Sequence, residues 1–365
     1  MGSRIRLAVL TAGVVSLAAA WCVSPASAAA GASTPVAAAA VRVPAALTIT
    51  AVGDMSFDGA AKRLIRATRG STPGRAPFAS TAANLRAADV TLGNLECALS
   101  WRGRPWPNKT YTFQGDPRAV QGLAWAGFDL IAQGNNHARD YGDTALRDTF
   151  ANLDRAKIAH AGAGVNYAAA WKPAVITRKG AKVAYLSFSE IGPSVFAAGS
   201  KHPGTAYTLN DKAVNKQIAM ANKTADYVIV SFHWGVEKQY SPTSRQVREG
   251  RAAIDAGADM VLSHHPHVIE GVEFYKKKLI AYSLGNFVFS PGSTAGRSSM
   301  ILHARLRPAG VTNVSADPVY IGSNGRPVLQ TGSSARKILN IVRSTSVARG
   351  TKVWFYGGQV RMAPK

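Results

Sequence analysis

Residues 259–290 read DMVLSHHPHVIEGVEFYKKKLIAYSLGNFVFS, and they decide how the rest of the chain is read. An apolar run at 259–262 ends in Ser263 and then in His264, His265, Pro266 and His267. A second run at 279–282 leads into Ser283, Gly285 and Asn286. Short apolar runs bounded by polar turns are the mark of strands buried on both faces. Three imidazoles at one strand end form a metal-binding pattern. Neutral imidazole is a good ligand for Zn, Fe, Mn or Ni, and a tight proline loop loses little entropy on binding.

Working outward, apolar or β-branched runs recur at 47–52, 89–92, 128–132, 183–188 and 227–232. Helix-like segments at 60–68, 77–86, 117–126, 144–157, 212–223 and 244–256 lie among them. Asp116 before Pro117 and Asp143 before Thr144 are expected to cap two of these helices. The repeated alternation of strand and helix places the chain in the α/β class. After residue 289 the texture shifts to shorter strands near 300–306 and 319–321 and a helix near 334–344, read as a closing segment of the same domain. No internal repeat supports a second domain.

The amino terminus carries Arg4 and Arg6, an apolar stretch at 7–20 and the small residues Ala26, Ser27 and Ala28. This is the pattern of a secretory signal peptide, assigned to residues 1–28, and it implies a secreted or cell-envelope location. Its apolar core is shorter than the ~20 residues a bilayer span needs, so no membrane span is expected after processing. Trp21 stands before Cys22 where a bacterial lipid-attachment motif requires a small residue, which argues against a lipoprotein. Residues 29–46, rich in Ala with Pro35 and Pro44, read as a flexible tether. The folded domain is assigned to 47–365, with core motifs in 47–290 and the closing segment in 291–365. Cleavage leaves Cys97 as the one remaining cysteine, so no intramolecular disulfide is expected.

Lysine and arginine number 43 against 20 acidic residues, a formal charge of +23. A surface this basic favours polyanions, although solubility alone is a sufficient reason for it. Nucleic acid is not the expected partner, because the basic residues are scattered and no RNP-type or helix-turn-helix signal is present.

The polar residues that could do chemistry follow strands. The first strand runs into Gly53-Asp54, the second into Gly93-Asn94-Leu95-Glu96, and the third into Gly134-Asn135-Asn136-His137 and then Arg139-Asp140-Tyr141-Gly142. A later strand ends in His233-Trp234-Gly235. In open α/β sheets, ligands bind at the carboxyl ends of strands. Carboxylates, an amide oxygen and imidazoles gathered there make a mixed oxygen and nitrogen shell suited to a hydrolytic centre with two metals. Asp140 is placed either to orient His137 or to cap a helix. Cys97 reads as a buried hydrophobe, and no nucleophile elbow or phosphate-binding loop appears.

The motif order resembles the CapA-type capsule (poly-γ-glutamate) biosynthesis proteins, a branch of the calcineurin-like metallophosphoesterase superfamily. NLE at 94–96, GNNHARDYG at 134–142, HWG at 233–235, HHPHV at 264–268 and YSLGNFVF at 282–289 carry the resemblance over about residues 47–290. It implies a metallophosphatase-like four-layer α/β/β/α sandwich. It further implies Asp54, Glu96, Asn136, His233, His265 and His267 as ligands of one or two divalent metal ions (Mn, Fe or Zn), and His137 as the catalytic histidine; Asp140, in its orienting role, is counted with it as a catalytic residue. His264 is given a supporting place, because His-x-His is already satisfied by 265 and 267. Asn286 is expected to tie loops together beneath the site. The superfamily's first motif is Asp-x-His, yet Met55 and Ser56 follow Asp54 here. Its second motif supplies an aspartate after glycine where this chain has Asn94, and both departures leave the metal count open.

Two functions follow. One is a metal-dependent hydrolase of phosphoester-type bonds tied to capsule or envelope polymer metabolism, acting on an anionic polymer or a phosphorylated small molecule. The other is a non-catalytic accessory protein that binds anionic polymer during capsule synthesis or export. Arg102, Arg104, Lys109 and Arg139, with Arg245, Arg248 and Arg251 on one helix face, are basic groups that could hold an anion or simply face solvent.

Overall fold

The long apolar runs become two sheets stacked face to face. The structure, a computed structural model of the chain, describes residues 43–365, so the signal-peptide assignment and all but the last four residues of the tether lie outside the described residues. The larger sheet has nine strands. Its parallel half is Leu47–Met55, Val90–Leu95, Leu130–Ala132 and Ala159–Ala161. Its antiparallel half continues from Leu47–Met55 through Ser298–Arg307, Gly310–Ile321, Gln359–Pro364 and Thr351–Tyr356, with Pro327–Leu329 also pairing to Gly310–Ile321. The second sheet has six strands, and Ala181–Ser189, Tyr227–His233, Met260–Leu262 and Lys278–Ala281 run parallel in its centre.

Three apolar clusters define the layers. Ile49, Leu92 and Leu130 of the larger sheet meet Tyr185, Ile229 and Met260 of the smaller one in a shared core. The outer face of the larger sheet, through Val52, Leu95 and Ile131, buries the helices Gly59–Ala67, Ala82–Arg86 and Ala119–Trp125. The outer face of the smaller sheet, through Leu186, Val230 and Val261, buries Asp211–Asn222 and Ser244–Asp255. Helix, sheet, sheet, helix is the expected four-layer sandwich. Apolar residues on both faces of the central strands are what such layering requires.

Several local expectations are corrected. The helix read at 77–86 is broken into a 3-10 turn at Pro73–Phe78 and the short helix Ala82–Arg86. Asp116 does not cap the following helix, which begins at Ala119. It accepts the Arg118 backbone N–H at 3.0 Å and clamps the Arg118 guanidinium. Asp143 lies inside the first turn of Gly142–Arg155, where it pairs with Arg139. The closing segment adds a hairpin, Thr351–Tyr356 with Gln359–Pro364, to the strands and helix read from sequence. Among the described residues no helix is long and apolar enough to cross a membrane.

Candidate metal centre

Both parallel halves aim their carboxyl ends at one place. Asp54 is the penultimate residue of Leu47–Met55, Glu96 follows Val90–Leu95, and Asn136 and His137 lie just past Leu130–Ala132. His233 ends Tyr227–His233, and His265 and His267 sit in the loop after Met260–Leu262. The sheets approach closely because residue 53 is glycine. A Cβ there would stand 1.9 Å from the Gly285 carbonyl oxygen. Asp54 N–H donates to that same oxygen at 2.9 Å, and Phe287 N–H donates to Asp54 O at 2.7 Å.

His265 and His267 hold φ of 98° and 58°. This left-handed region costs a non-glycine residue on the order of 1–3 kcal/mol. The strain is held by surrounding contacts: Asp54 Oδ2 accepts the His265 N–H at 3.2 Å, and Asn286 Oδ1 stands 2.8 Å from His267 Nδ1. Asn286 also donates to the His267 and Gly296 carbonyls, tying the loops together.

Glu96 sits at the middle. Its side chain is fully buried and neither carboxylate oxygen accepts a hydrogen bond. The Nε2 atoms of His233, His267 and His137 stand 3.5, 3.8 and 3.9 Å from Oε1. Bonds of ~2.0–2.1 Å to one tetrahedral ion put its ligands about 3.3 Å apart. The observed separations are therefore close to those of groups sharing a cation and too long for hydrogen bonds. Glu96, His233 and His265 form one set able to hold a metal ion, and Asp54, Glu96 and His267 form a second that shares Glu96. Asn136 Oδ1 lies against the first set, 2.7 Å from His233 Nε2. Carboxylate, amide and imidazole are donors that suit Mn, Fe or Zn. A buried carboxylate without a donor is a group that a cation would satisfy.

The titrations reflect the same crowding. Burial, reinforced by the Asp54 charge, drives the Glu96 carboxyl well above its usual range. Burial pushes Asp54 upward too, but His264 and His267 outweigh it and hold Asp54 well below the usual value. His265 falls to about 3 and His233 falls well below the ordinary imidazole value, mainly through burial, so their lone pairs stay available. Burial works against a charged His267, yet Glu96 and Asp54 win and raise it to about 10. His264 Nδ1 is 3.2 Å from Asp54 Oδ1, within ion-pair range but without hydrogen-bond alignment.

His137 forms the second layer of the site. Its Nδ1 lies 2.6 Å from Asp140 Oδ2. Asp140 also accepts the Phe113 N–H at 2.7 Å and ion-pairs with Lys109. Lys109 Nζ donates to the Asn136 carbonyl at 2.7 Å. The Phe113 ring stacks on the imidazole, with centroids 4.1 Å apart and 22° between planes. An acceptor fixed at Nδ1 makes that nitrogen the proton carrier and turns Nε2 toward Glu96. Burial holds the His137 pKa below its ordinary value, with Asp140 opposing.

All eight side chains named in the sequence therefore meet at one end of the fold. Phe113, Asn135 and Glu237 were not singled out. Asn135 donates to Asn94 Oδ1 while Asn94 donates to Asp54 Oδ1, so the amide at 94 steers the carboxylate at 54. Glu237, His265 and His267 form a third, more exposed grouping. The arginines on Ser244–Asp255 are already engaged: Arg245 with Glu190, Asp211 and Glu249, and Arg251 with Glu273. Arg102 pairs with Asp148 and Arg139 with Asp143, which leaves Lys109 as the basic group from that reading whose contacts reach the cluster. Cys97 is buried, and burial pushes its thiol up to about 12.

With the geometry described, the comparisons can be set beside it. Residues 48–291 match the bacterial capsule synthesis protein family PGA_cap. The PGA biosynthesis protein CapA of Bacillus subtilis is 34% identical over 238 residues, covering 65% of this chain and 62% of that protein. The capsule biosynthesis protein CapA of Bacillus anthracis is 30% identical over 308 residues, covering 82% of this chain and 74% of that protein. The chain thus spans less than two thirds of the Bacillus subtilis relative. A phosphatase from Mycoplasma pneumoniae superposes with a TM-score of 0.47 at 12% identity, covering 76% of this chain and 94% of that one. This likeness is too distant to assign chemistry.

Proposed function

Since the chain belongs to the bacterial capsule synthesis protein family PGA_cap, we propose that it is a metal-dependent hydrolase of phosphoester-type bonds in capsule or envelope polymer metabolism, working outside the cytoplasm. The observation that carries this reading is Glu96: a fully buried carboxylate with no hydrogen bond and three imidazole Nε2 atoms within 3.5–3.9 Å. Asp54, Glu96, Asn136, His233, His265 and His267 would hold one or two divalent ions, and Glu96 belongs to both candidate sets. A bound ion supplies Lewis acidity to a phosphoryl oxygen and makes water a stronger nucleophile.

The remaining chemistry belongs to the chain's own groups. Asp140 Oδ2 accepts a hydrogen bond from His137 Nδ1–H, so Nε2 is the atom that exchanges a proton with the leaving oxygen. Phe113 covers one face of the ring and limits its rotation. Lys109, paired to Asp140, holds that carboxylate in place beside the ring.

The test is a panel of phosphomonoesters and phosphodiesters assayed with metal-loaded protein, together with metal content by mass spectrometry. Wild type carries bound metal and turns over at least one ester, and His137→Ala keeps the metal while losing turnover. Protein that binds no metal under any loading condition overturns the reading. The formal charge of +23 favours the second role, anionic polymer binding without catalysis. Polymer binding that survives chelation, in a protein inactive on every ester, would select it.

A further inference from the structure

Past His233 the chain turns back over the histidine loop and leaves one acid at its edge. Trp234 N–H donates to the His264 carbonyl at 3.2 Å and Lys238 N–H to the Pro266 carbonyl at 2.8 Å, so residues 234–238 are tied to that loop at two points. Gly235 permits the turn. Its φ is 85°, and a Cβ there would stand 2.7 Å from the Gln246 amide, which Thr243 N–H and Glu270 already hold in place. The turn carries the exposed Glu237 carboxylate to within 4.8 Å of a ring nitrogen of His265 and of His267.

Glu237 is unengaged. Among the described residues it accepts no hydrogen bond and makes no ion pair, whereas the other exposed acids, Asp154 and Asp255, pair with His160 and Lys276. Burial deepens from that carboxylate inward: His267 is partly covered, His265 is 6% exposed, and Asp54, Glu96 and His233 are closed to solvent. The three candidate sets overlap in the same order. The outer set, Glu237 with His265 and His267, shares His265 with Glu96 and His233, and shares His267 with Asp54 and Glu96. An ion held by the outer set can therefore pass to either inner set without releasing the imidazole that the two have in common.

We propose that Glu237, with His265 and His267, is the entry site through which divalent cations reach the buried cluster, and that Glu237 is not a ligand once the ion has settled. This role rests on the metal centre proposed for the buried groups. A buried site needs an entry path as well as ligands, and moving an ion out of water is costly unless ligands replace that water on the way. A free carboxylate at the mouth can make the first replacement. A chain of charge +23 also repels cations at a distance, and one unpaired negative charge offsets that repulsion where the ion arrives. The same path serves exit, so a group that only lowers its barrier speeds release as much as uptake and leaves the equilibrium alone.

The test is stopped-flow exchange of Zn(II) between chelator-stripped protein and a chromophoric chelator, followed in both directions, with Kd from equilibrium competition and Zn(II) content from mass spectrometry. Wild type takes up Zn(II). Glu237→Gln and Glu237→Ala each slow uptake and release alike, at least fivefold, and shift Kd less than twofold. Asp255→Asn removes another exposed acid, at the last residue of Ser244–Asp255 and before the amino end of Met260–Leu262, and it changes both rates less than twofold. Melts of both Glu237 variants in chelator match wild type, because the side chain has no partner to lose. Lower melts in both overturn the proposal by giving Glu237 a structural role. A weaker Kd with unchanged uptake overturns it by making Glu237 a ligand of the settled ion, and equal slowing in Asp255→Asn overturns it by making the effect one of net charge. Wild type that takes up no Zn(II) overturns the metal centre and the entry site together, whereas Zn(II) exchange as fast in the Glu237 variants as in wild type overturns the entry site alone.

Discussion

Glu96→Gln removes one negative charge from the middle of the metal cluster and keeps the side chain's shape. In chelator, the raised Glu96 pKa means that the folded protein holds a proton which the unfolded chain releases above its ordinary value of 4.5. More protons bound by the folded state means that stability falls as pH rises above that value, by at most ~1.4 kcal/mol per pH unit for one group. The glutamine variant lacks this contribution, so its lead over wild type in chelator widens as pH rises above the ordinary carboxyl value of 4.5. With metal present the order reverses. An ion at ~100 times its Kd stabilises wild type by about 2.7 kcal/mol, and at about 2 °C per kcal/mol for a chain of this size the melting temperature rises by about 5 °C. Glu96→Gln shows little or none of that rise. Differential scanning calorimetry in chelator and then in Mn, Fe(II) or Zn reads both effects. An equal metal-induced rise in the two proteins, or a chelated wild type that does not lose ground to the variant with pH, would refute the reasoning.

The other expectations concern single side chains. His137→Ala lowers kcat on a phosphoester by ~10²–10⁴-fold with metal content unchanged. Asp140→Asn loses a comparable amount, since an amide no longer holds the Nδ1 hydrogen securely, and steady-state kinetics with metal analysis checks both. Glu270 is fully buried and raised to about 8 by burial, with one hydrogen bond from Gln246 at 2.7 Å. Its folded pKa lies above its unfolded one, so wild type loses stability between about pH 4.5 and pH 8, and Glu270→Gln is the more stable protein at the upper end by about 1–3 kcal/mol in urea denaturation. Cys97, buried with a thiol near 12, resists alkylation in the native protein at about pH 8 and reacts after denaturation, as mass spectrometry would record.

The strands were legible in the sequence, and Asp54, Glu96, Asn136, His233, His265 and His267, the residues that the family resemblance implies as ligands, each sit at or just past a strand end. The sequence reading fell short where position depends on a long irregular path. Phe113 and Lys109 reach His137 from the stretch between 100 and 113, and no periodicity reports where such a loop returns. The helix expected at 77–86 begins late because Pro77 and Phe78 belong to the 3-10 turn Pro73–Phe78, and the chain restarts as a helix only at Ala82. The arginines at 245, 248 and 251 share a helix face with Glu249, which pairs with the first two, but the further partners of Arg245 at 190 and 211 and that of Arg251 at 273 come from other elements. The hairpin at 351–364 did leave a signal, alternation around Gly357-Gly358, which the fading of strand texture after residue 289 obscured.

The central claim is that the cluster around Glu96 is a working metal centre with His137 as its proton-exchanging group. The most direct measurement is hydrolysis of a chromogenic phosphodiester by protein stripped with chelator and then reloaded with Mn, Fe(II) or Zn, wild type against His137→Ala. The account predicts no turnover when stripped, recovery on reloading for wild type, and recovery of metal without turnover for His137→Ala. Turnover that survives stripping, or that returns equally in His137→Ala, would contradict it.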